Sequence, residues 1–371
     1  VASPISAGTM GHRTRPVCHA YGEPLVIQDV VLRAPGAGEV QVKVGAVSIC
    51  HSDLGFLDGV FPGPVPAVLG HEAAGTVMTV GEGVRGVAPG DRVVVTLIRS
   101  CGQCRNCVTG KPVLCSAPYD RANGVLSLPD GTVVNHGLNT GAFAQEVVVH
   151  ASQIVKVPED LPMELGALLA CGVITGTGAA INTAQVTAGS SCVVIGAGGV
   201  GLNAIQGARL AGAARIIAID IADEKLAAAR EFGATDVLRA DIDGLRRAVR
   251  KMTGGGAEYV FVTVGAVAAY GGASGLAVRG GTIVAVGMPP VGATFNLEPQ
   301  ALAVMAQTMK GSFMGGAVIG RDIPYLVDLW RQGRLKLEEL VSGRYRFEQI
   351  NEAIADARSG AVRRNVIVMD P

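Results

Sequence analysis

Ser191-Cys192-Val193-Val194-Ile195-Gly196-Ala197-Gly198-Gly199-Val200-Gly201 is an apolar run that passes without a break into a G-x-G-x-x-G turn. The run reads as a buried strand, and the apolar segment from Val200 to Leu210 behind it reads as a helix. In such a turn Gly196 permits the tight bend, Gly198 lets backbone approach a pyrophosphate, Gly199 and Val200 open the helix, and Gly201 lets the helix pack closely on the strand. The helix N-terminus then offers N–H groups and a positive dipole to phosphate. A second strand, Arg215-Ile216-Ile217-Ala218-Ile219-Asp220, ends in an acid about 20 residues beyond the glycines, where a carboxylate accepts hydrogen bonds from ribose hydroxyls and repels a 2′-phosphate. NAD is therefore expected rather than NADP. The plain alternative is a glycine turn in an ordinary βαβ unit, which has no need of that acid.

The alternation continues downstream, with helices expected near 223–232 and 267–278 and strands at 259–264 and 282–286. Alternating elements of this kind build a doubly wound parallel sheet. From residue 314 the chain turns to helix near 322–332 and 347–358 and closes on a strand at 365–369. Upstream the pattern is different: residues 17–47, 73–80 and 91–97 alternate apolar and polar in short runs broken by Gly and Pro, the signature of half-buried antiparallel strands. The expected division is a β-rich domain over 1–172, a dinucleotide domain over 173–313, and a return to the first domain over 314–371.

The β-rich part carries the metal chemistry. Cys50-His51-Ser52-Asp53 and Gly70-His71-Glu72 place a thiol and an imidazole among carboxylates, and Cys171, in Ala170-Cys171-Gly172, is the best third ligand. Three N/S ligands with one position open describe a catalytic zinc, with Asp53 and Glu72 available to orient the imidazole. The alternative is three unrelated core residues, since free Cys is often buried. Cys101, Cys104 and Cys107, followed by seven residues and Cys115, can close a tetrahedron with no open position, as a structural zinc requires. An iron–sulfur cluster is the rival, but the ferredoxin run has a shorter last gap followed by Pro, where this chain has Ser116.

Composition narrows the function classes. Lys plus Arg equals Asp plus Glu at 31 each, which argues against nucleic acid or an anionic membrane surface as a partner. No stretch has ~18 uninterrupted apolar residues, so no membrane span is expected. Eight cysteines in a chain of 371, four of them clustered, suit metal binding in a reducing cytoplasm better than a disulfide framework. The first eleven residues are small and polar and are read as a disordered extension or an expression remnant. His12, His19, His136 and His150 lack partner spacing and are read as surface or ordinary core.

Together, these motifs and their order, with Val286-Gly287-Met288-Pro289-Pro290, resemble the zinc-dependent medium-chain alcohol dehydrogenase family from about Val17 onward. The resemblance implies a GroES-like β-rich catalytic domain with a Rossmann coenzyme domain and two zinc ions: a catalytic one on Cys50, His71 and Cys171 and a structural one on Cys101, Cys104, Cys107 and Cys115. It assigns Ser52 to the substrate proton, Asp53 to the far side of His71, and Thr175, Val200, Val264, Val286 and Met288 to the nicotinamide. It sets His51 and Arg363 near the pyrophosphate and Lys225 at the adenosine ribose. Where many members carry a relay histidine this chain has Gly55, and water with the ribose is expected to finish the relay.

The implied activity is reversible oxidation of primary alcohols by NAD in a homodimer or homotetramer. Leu97 or Ile98, Val173, Ile174 and Met288 suggest an apolar pocket. The rivals are a formaldehyde dehydrogenase dependent on glutathione or mycothiol, with Arg99 and Arg121 as candidate anchors, a tailoring aldehyde or ketone reductase, and a non-catalytic NAD-binding scaffold. An open metal position and Ser52 argue against the scaffold.

Overall fold

In the computed structural model, which describes residues 11–118, 124–360 and 363–369, the strand Ser191–Ile195 lies between Arg215–Asp220 and Ala257–Val262, parallel to both. Asp236–Arg239 extends one flank, and Ala277–Ala285 followed by Thr308–Gly311 extends the other. The chain order across this six-stranded parallel sheet is therefore 3-2-1-4-5-6, the order of a doubly wound dinucleotide fold. Ligands of such sheets sit at the carboxyl ends of the strands, where the order reverses, which is the end of Ser191–Ile195. The sheet buries Val193, Ile217 and Val260 against Val249 and Ala273 of the helices Leu245–Thr253 and Val267–Leu276.

Among the described residues of this unit, the strands Asp236–Arg239 and Thr308–Gly311 and the helices Ile174–Gly178, Leu245–Thr253 and Pro299–Met305 escaped the sequence reading. Asp236–Arg239 is only four residues long and half-buried throughout, so it carries no run of apolar residues to betray it. Thr308–Gly311 is an edge strand with exposed ends. Leu245–Thr253 packs Leu245, Val249 and Met252 on the core, but Arg246, Arg247, Arg250 and Lys251 between them break every apolar run, and Pro299–Met305 is only seven residues long.

The other unit is built on antiparallel pairing, as the period-two runs foretold. One sheet runs Ile154–Lys156, Arg92–Val95, Glu72–Val80, Glu39–Ser48, Arg364–Val368, Val341–Arg346, and Glu146–His150 also pairs with Glu39–Ser48. The C-terminal strand does return here, Val366 lying opposite Ser48. A second sheet runs Gly11–Val17, Val26–Leu32, Leu126–Ser127, Val133–His136, Ala67–Val68, and a bridge between Cys18 and Ala67 joins its last strand to its first. That bridge closes the sheet into a small barrel. Gly11 thus belongs to a strand, and the rest of the expected extension, 1–10, lies outside the described residues.

The division of the chain differs from the expected one at its second boundary. The first unit runs to Cys171 and resumes at Leu337, while Gly172–Lys336 forms the second. Residues 314–336 stay with the dinucleotide sheet because the helix Ile319–Arg331 is tied there: Asp322 Oδ2 accepts hydrogen bonds from Asn182 Nδ2 at 3.1 Å and from the Val318 amide at 2.9 Å. The first boundary falls inside a helical run, Met163–Ala184. This run is long and apolar enough by composition to cross a membrane, although Glu164, Thr175 and Thr177 interrupt it, and 89% of its apolar 18-residue window is buried.

Candidate functional site

Cys50 is the N-cap of the helix His51–Leu57, and the reciprocal bonds of that cap explain the local sequence. Asp53, three residues on, accepts the Cys50 amide at Oδ2 (3.1 Å), while its Oδ1 takes the Gly70 amide at 3.0 Å and lies 3.2 Å from His71 Nδ1. One fully buried carboxylate therefore fixes the backbone before one ligand and the ring of another. The Nδ1 side of His71 is satisfied, and Nε2 is buried with no hydrogen-bond partner. Cys171 comes from a π-helical turn, Leu169–Val173, an irregularity that often marks functional positions in helices.

The ligand atoms of Cys50, His71, Glu72 and Cys171 lie within 4.8 Å of one another, and all four residues are buried. The electrostatics favour a cation among them. The Cys171 thiol donates to Cys50 and, with His71, holds the Cys50 thiol well below its usual range, while that same bond and burial push Cys171 well above it. Burial works to lower His71, but the charges of Asp53 and Cys50 outweigh it and raise the imidazole. An orphaned imidazole nitrogen facing two thiols, one already inclined to ionise, fits a thiophilic divalent ion such as zinc.

Glu72 is more than a remote support. Burial raises its carboxyl to about 8, and Oε1 is 3.1 Å from Nη1 of Arg364, itself buried, while Oε2 has no partner. Arg364 is the arginine that enters the metal cluster. Arg363, expected from sequence to serve the pyrophosphate, instead donates from Nη1 to the Glu339 carbonyl at 2.7 Å. The two are adjacent on a strand end and alternate in direction, so a one-residue shift in reading exchanges their roles.

Ser52 Oγ is 3.7 Å from Cys50 Sγ, and His51 is exposed in the first turn of the helix. At Gly55 an added Cβ would stand 2.4 Å from Cε2 of Phe61. The Phe61 ring fills the space a relay side chain would need, which gives the missing histidine a physical cause.

The four-cysteine lobe is equally explicit. Sγ–Sγ separations of 4.0 Å (Cys101 to Cys107), 3.5 Å (Cys104 to Cys107) and 3.9 Å (Cys104 to Cys115) bracket the roughly 3.8 Å edge of a tetrahedron with Zn–S bonds of about 2.3 Å. Amides of Gln103 and Cys104 donate to the Cys101 sulfur, and amides of Cys107 and Ser116 draw the Cys104 thiol down to about 6. None of these cysteines is in a disulfide.

In the second unit the three glycines divide their tasks as read. Gly196 has φ +96°, a Cβ on Gly201 would fall 1.9 Å from the Gly196 carbonyl oxygen, and a Cβ on Gly198 would meet nothing within 4 Å. Gly199 and Val200 begin the helix Gly199–Leu210. Asp220 Oδ2 accepts from the Ala197 amide at 2.7 Å and Oδ1 from the Ile221 amide at 2.8 Å, so the acid also ties the glycine turn to the second strand. A cavity of about 1030 Å³ opens there, lined among others by Gly196, Asp220, Ile221, Val264 and Ala269. Lys225 is one turn into the helix Asp223–Glu231, and Thr175 is buried with Oγ1 3.7 Å from Met314 Sδ. Ile174, Val173 and Ile98 are buried, whereas Met288 is exposed; Val286 donates its amide to the Val262 carbonyl at the strand end. Arg99 bears electrostatically on Glu39 and His150, and Arg121 lies outside the described residues.

Comparison with known proteins agrees with this geometry. Residues 36–159 match the alcohol dehydrogenase GroES-like domain, and residues 199–331 match the zinc-binding dehydrogenase family. An NDMA-dependent alcohol dehydrogenase of Amycolatopsis methanolica is 37% identical over 95% of this chain and 97% of its own. The crystal structure of benzyl alcohol dehydrogenase from Acinetobacter calcoaceticus superposes with a TM-score of 0.91 at 34% identity, covering 97% of this chain and all of that one, 100%. A zinc-binding dehydrogenase of Sinorhizobium meliloti, bound to NADP, gives a TM-score of 0.81 at 26% identity over 96% of this chain and 99% of its own. With two metal-ligand clusters, a doubly wound dinucleotide sheet and both family models matched in order, the chain belongs to the zinc-dependent medium-chain alcohol dehydrogenases.

Proposed function

We propose that the protein oxidises primary apolar or aromatic alcohols to aldehydes with NAD as hydride acceptor, holding two zinc ions per chain. The observation that carries the reading is the buried set Cys50, His71 and Cys171, with Nε2 of His71 unpartnered, beside a hydroxyl at Ser52. A zinc held there supplies a Lewis acid that makes an alcohol O–H acidic near neutral pH. The residues of the chain do the rest. Asp53 keeps His71 in one tautomer and orientation. Ser52 receives the hydroxyl proton, and with Phe61 packed over Gly55 that proton passes on to water. NAD, held at the glycine turn, would supply the acceptor for the carbinol hydride, the balance being alcohol and NAD⁺ to aldehyde, NADH and one proton.

Support for the nucleotide half comes from the open face of Gly198 and from Asp220 at the rim of the cavity. The benzyl alcohol dehydrogenase relationship favours an aromatic or medium-length substrate. A second reading is favoured by the NDMA-dependent relative: turnover depends on NDMA rather than on free NAD. The test is metal content per chain together with turnover of ethanol, benzyl alcohol and octanol, each with free NAD, with NDMA, and with glutathione or mycothiol added. Two zincs and thiol-independent NADH formation support the proposal. Turnover only with NDMA supports the second reading, and formaldehyde oxidation only with the thiol would move the assignment to the thiol-dependent branch.

A homo-oligomer belongs to the same proposal. Val304 is 62% exposed and Phe313 is exposed as well, one shortly before and one shortly after the edge strand Thr308–Gly311 in the chain. Unpaired strand edges beside apolar side chains call for cover, which a second copy provides. Sedimentation of the native protein and of Val304→Glu checks this, the variant shifting toward monomer.

A further inference from the structure

The closed five-stranded barrel carries an unexplained charge on its inner face. Register places Arg15 opposite Gln28, Leu32 opposite Leu126 and Leu126 opposite Val134, and His136 follows two residues later on the same face. Because side chains alternate along strands, Arg15, Gln28 and His136 all project inward with the apolar Val30, Leu32, Leu126 and Val134. Arg15 is 1% exposed, and its Nε, Nη1 and Nη2 are all buried without a hydrogen-bond partner. The amide nitrogen of Gln28 is in the same condition, while Nδ1 of His136, also buried and unpartnered among the described residues, presents a lone pair on a neutral ring. The Thr140 backbone holds the His136 ring on its other side.

A buried guanidinium with five unmet donors costs several kcal/mol unless an anion or acceptors meet it. Among the described residues, the carboxylate that bears on it, Glu146, is already claimed: Arg13 Nε donates to Oε1 at 3.2 Å and Gln41 Nε2 to Oε2 at 3.0 Å. Arg13, Arg15 and Glu146 together carry a net charge of one positive unit. Water would meet the donors but leave the charge; one small monovalent anion meets both.

We propose that Arg15 and the Gln28 amide form an internal site for a small monovalent anion, of the halide class, that stabilises the barrel of the metal-bearing unit. The site is separate from the metal cluster and from the nucleotide cavity, and it uses none of their residues.

The test uses the full zinc-loaded protein. Melting is followed at constant ionic strength as sodium gluconate is replaced by sodium bromide, and crystals grown in bromide are measured for anomalous scattering. Expected are a saturable rise in Tm with bromide and an anomalous peak within hydrogen-bonding distance of Arg15. Gln28→Glu supplies a built-in carboxylate opposite Arg15; it should melt above the native protein in gluconate and lose the bromide dependence. Arg15→Met should lose that dependence too, and if it fails to fold the Gln28→Glu result still decides. Equal Tm in the two salts, an anomalous map with water alone at Arg15, or a Gln28→Glu variant that keeps the native bromide response would overturn the site.

Discussion

Asp53 Oδ1 sits 3.2 Å from His71 Nδ1, with both side chains wholly buried, and the same carboxylate also receives the amides of Cys50 and Gly70. Asp53→Asn keeps the shape but presents an amide to one or more of these donors and loosens the ring's tautomer. Zinc affinity at the Cys50, His71 and Cys171 cluster should fall ~10–100-fold while the four-cysteine lobe keeps its ion. Chelator titration, read as zinc per chain, would show one weakened site of two. Two unweakened sites would remove Asp53 from the metal's support.

Arg364 and Glu72 form the second buried relationship, at 3.1 Å. Arg364→Met leaves the Glu72 carboxyl, already raised to about 8, buried without its cation, so the variant should lose stability against the native protein increasingly as pH rises through 8 and the carboxyl must ionise. The double variant Arg364→Met, Glu72→Gln should recover much of that loss. Urea unfolding of the four proteins of this cycle measures the coupling directly.

The glycine turn separates folding from binding. A Cβ on Gly198 meets nothing within 4 Å, so Gly198→Ala should fold with near-native Tm yet bind NADH more weakly, because the methyl group projects where the pyrophosphate would lie. A Cβ on Gly201 would be 1.9 Å from the Gly196 carbonyl oxygen, so Gly201→Ala should lower Tm outright. Melting curves with and without NADH distinguish the two effects.

These residues also show what the sequence could disclose. Metal ligands and glycines were legible because each needs a particular side chain at a particular spacing, and the strand before Gly196 is an uninterrupted apolar run. The boundary at Lys336 was not legible, since it depends on Asp322 reaching Asn182, a contact between residues 140 apart in the chain. Arg364 was missed for Arg363 because strand direction, not residue type, decides which of two arginines points inward. His136 looked ordinary for the same reason: its isolation among buried apolar neighbours appears only once the barrel has closed.

The two metal sites differ in access. Cys101 is exposed and its three partners are half-buried, whereas Cys50, His71 and Cys171 are buried. A chelator should therefore strip the four-cysteine lobe first, and zinc release followed by colour should be biphasic with one equivalent in each phase. In the same experiment, Cys192 should resist alkylation at neutral pH, since burial pushes its thiol up to about 12.

Acid should act through the barrel. Burial first, and then the Arg15 cation, hold His136 down to about 3 against an ordinary imidazole's 6.5, with Glu39 and Arg33 bearing on it in opposite senses. Between these two values the unfolded chain binds a proton at this residue that the folded chain refuses. Stability is therefore whole above pH 6.5 and falls as pH drops toward 3, by up to ~1.4 kcal/mol per pH unit from this residue alone. His136→Gln cannot titrate, so its loss of stability between pH 7 and pH 5 should be smaller than that of the native protein. Urea midpoints in gluconate, which keep the halide effect at Arg15 out of the measurement, give the comparison. Parallel slopes for the two proteins would mean that His136 is already protonated in the fold, or that acid enters elsewhere first.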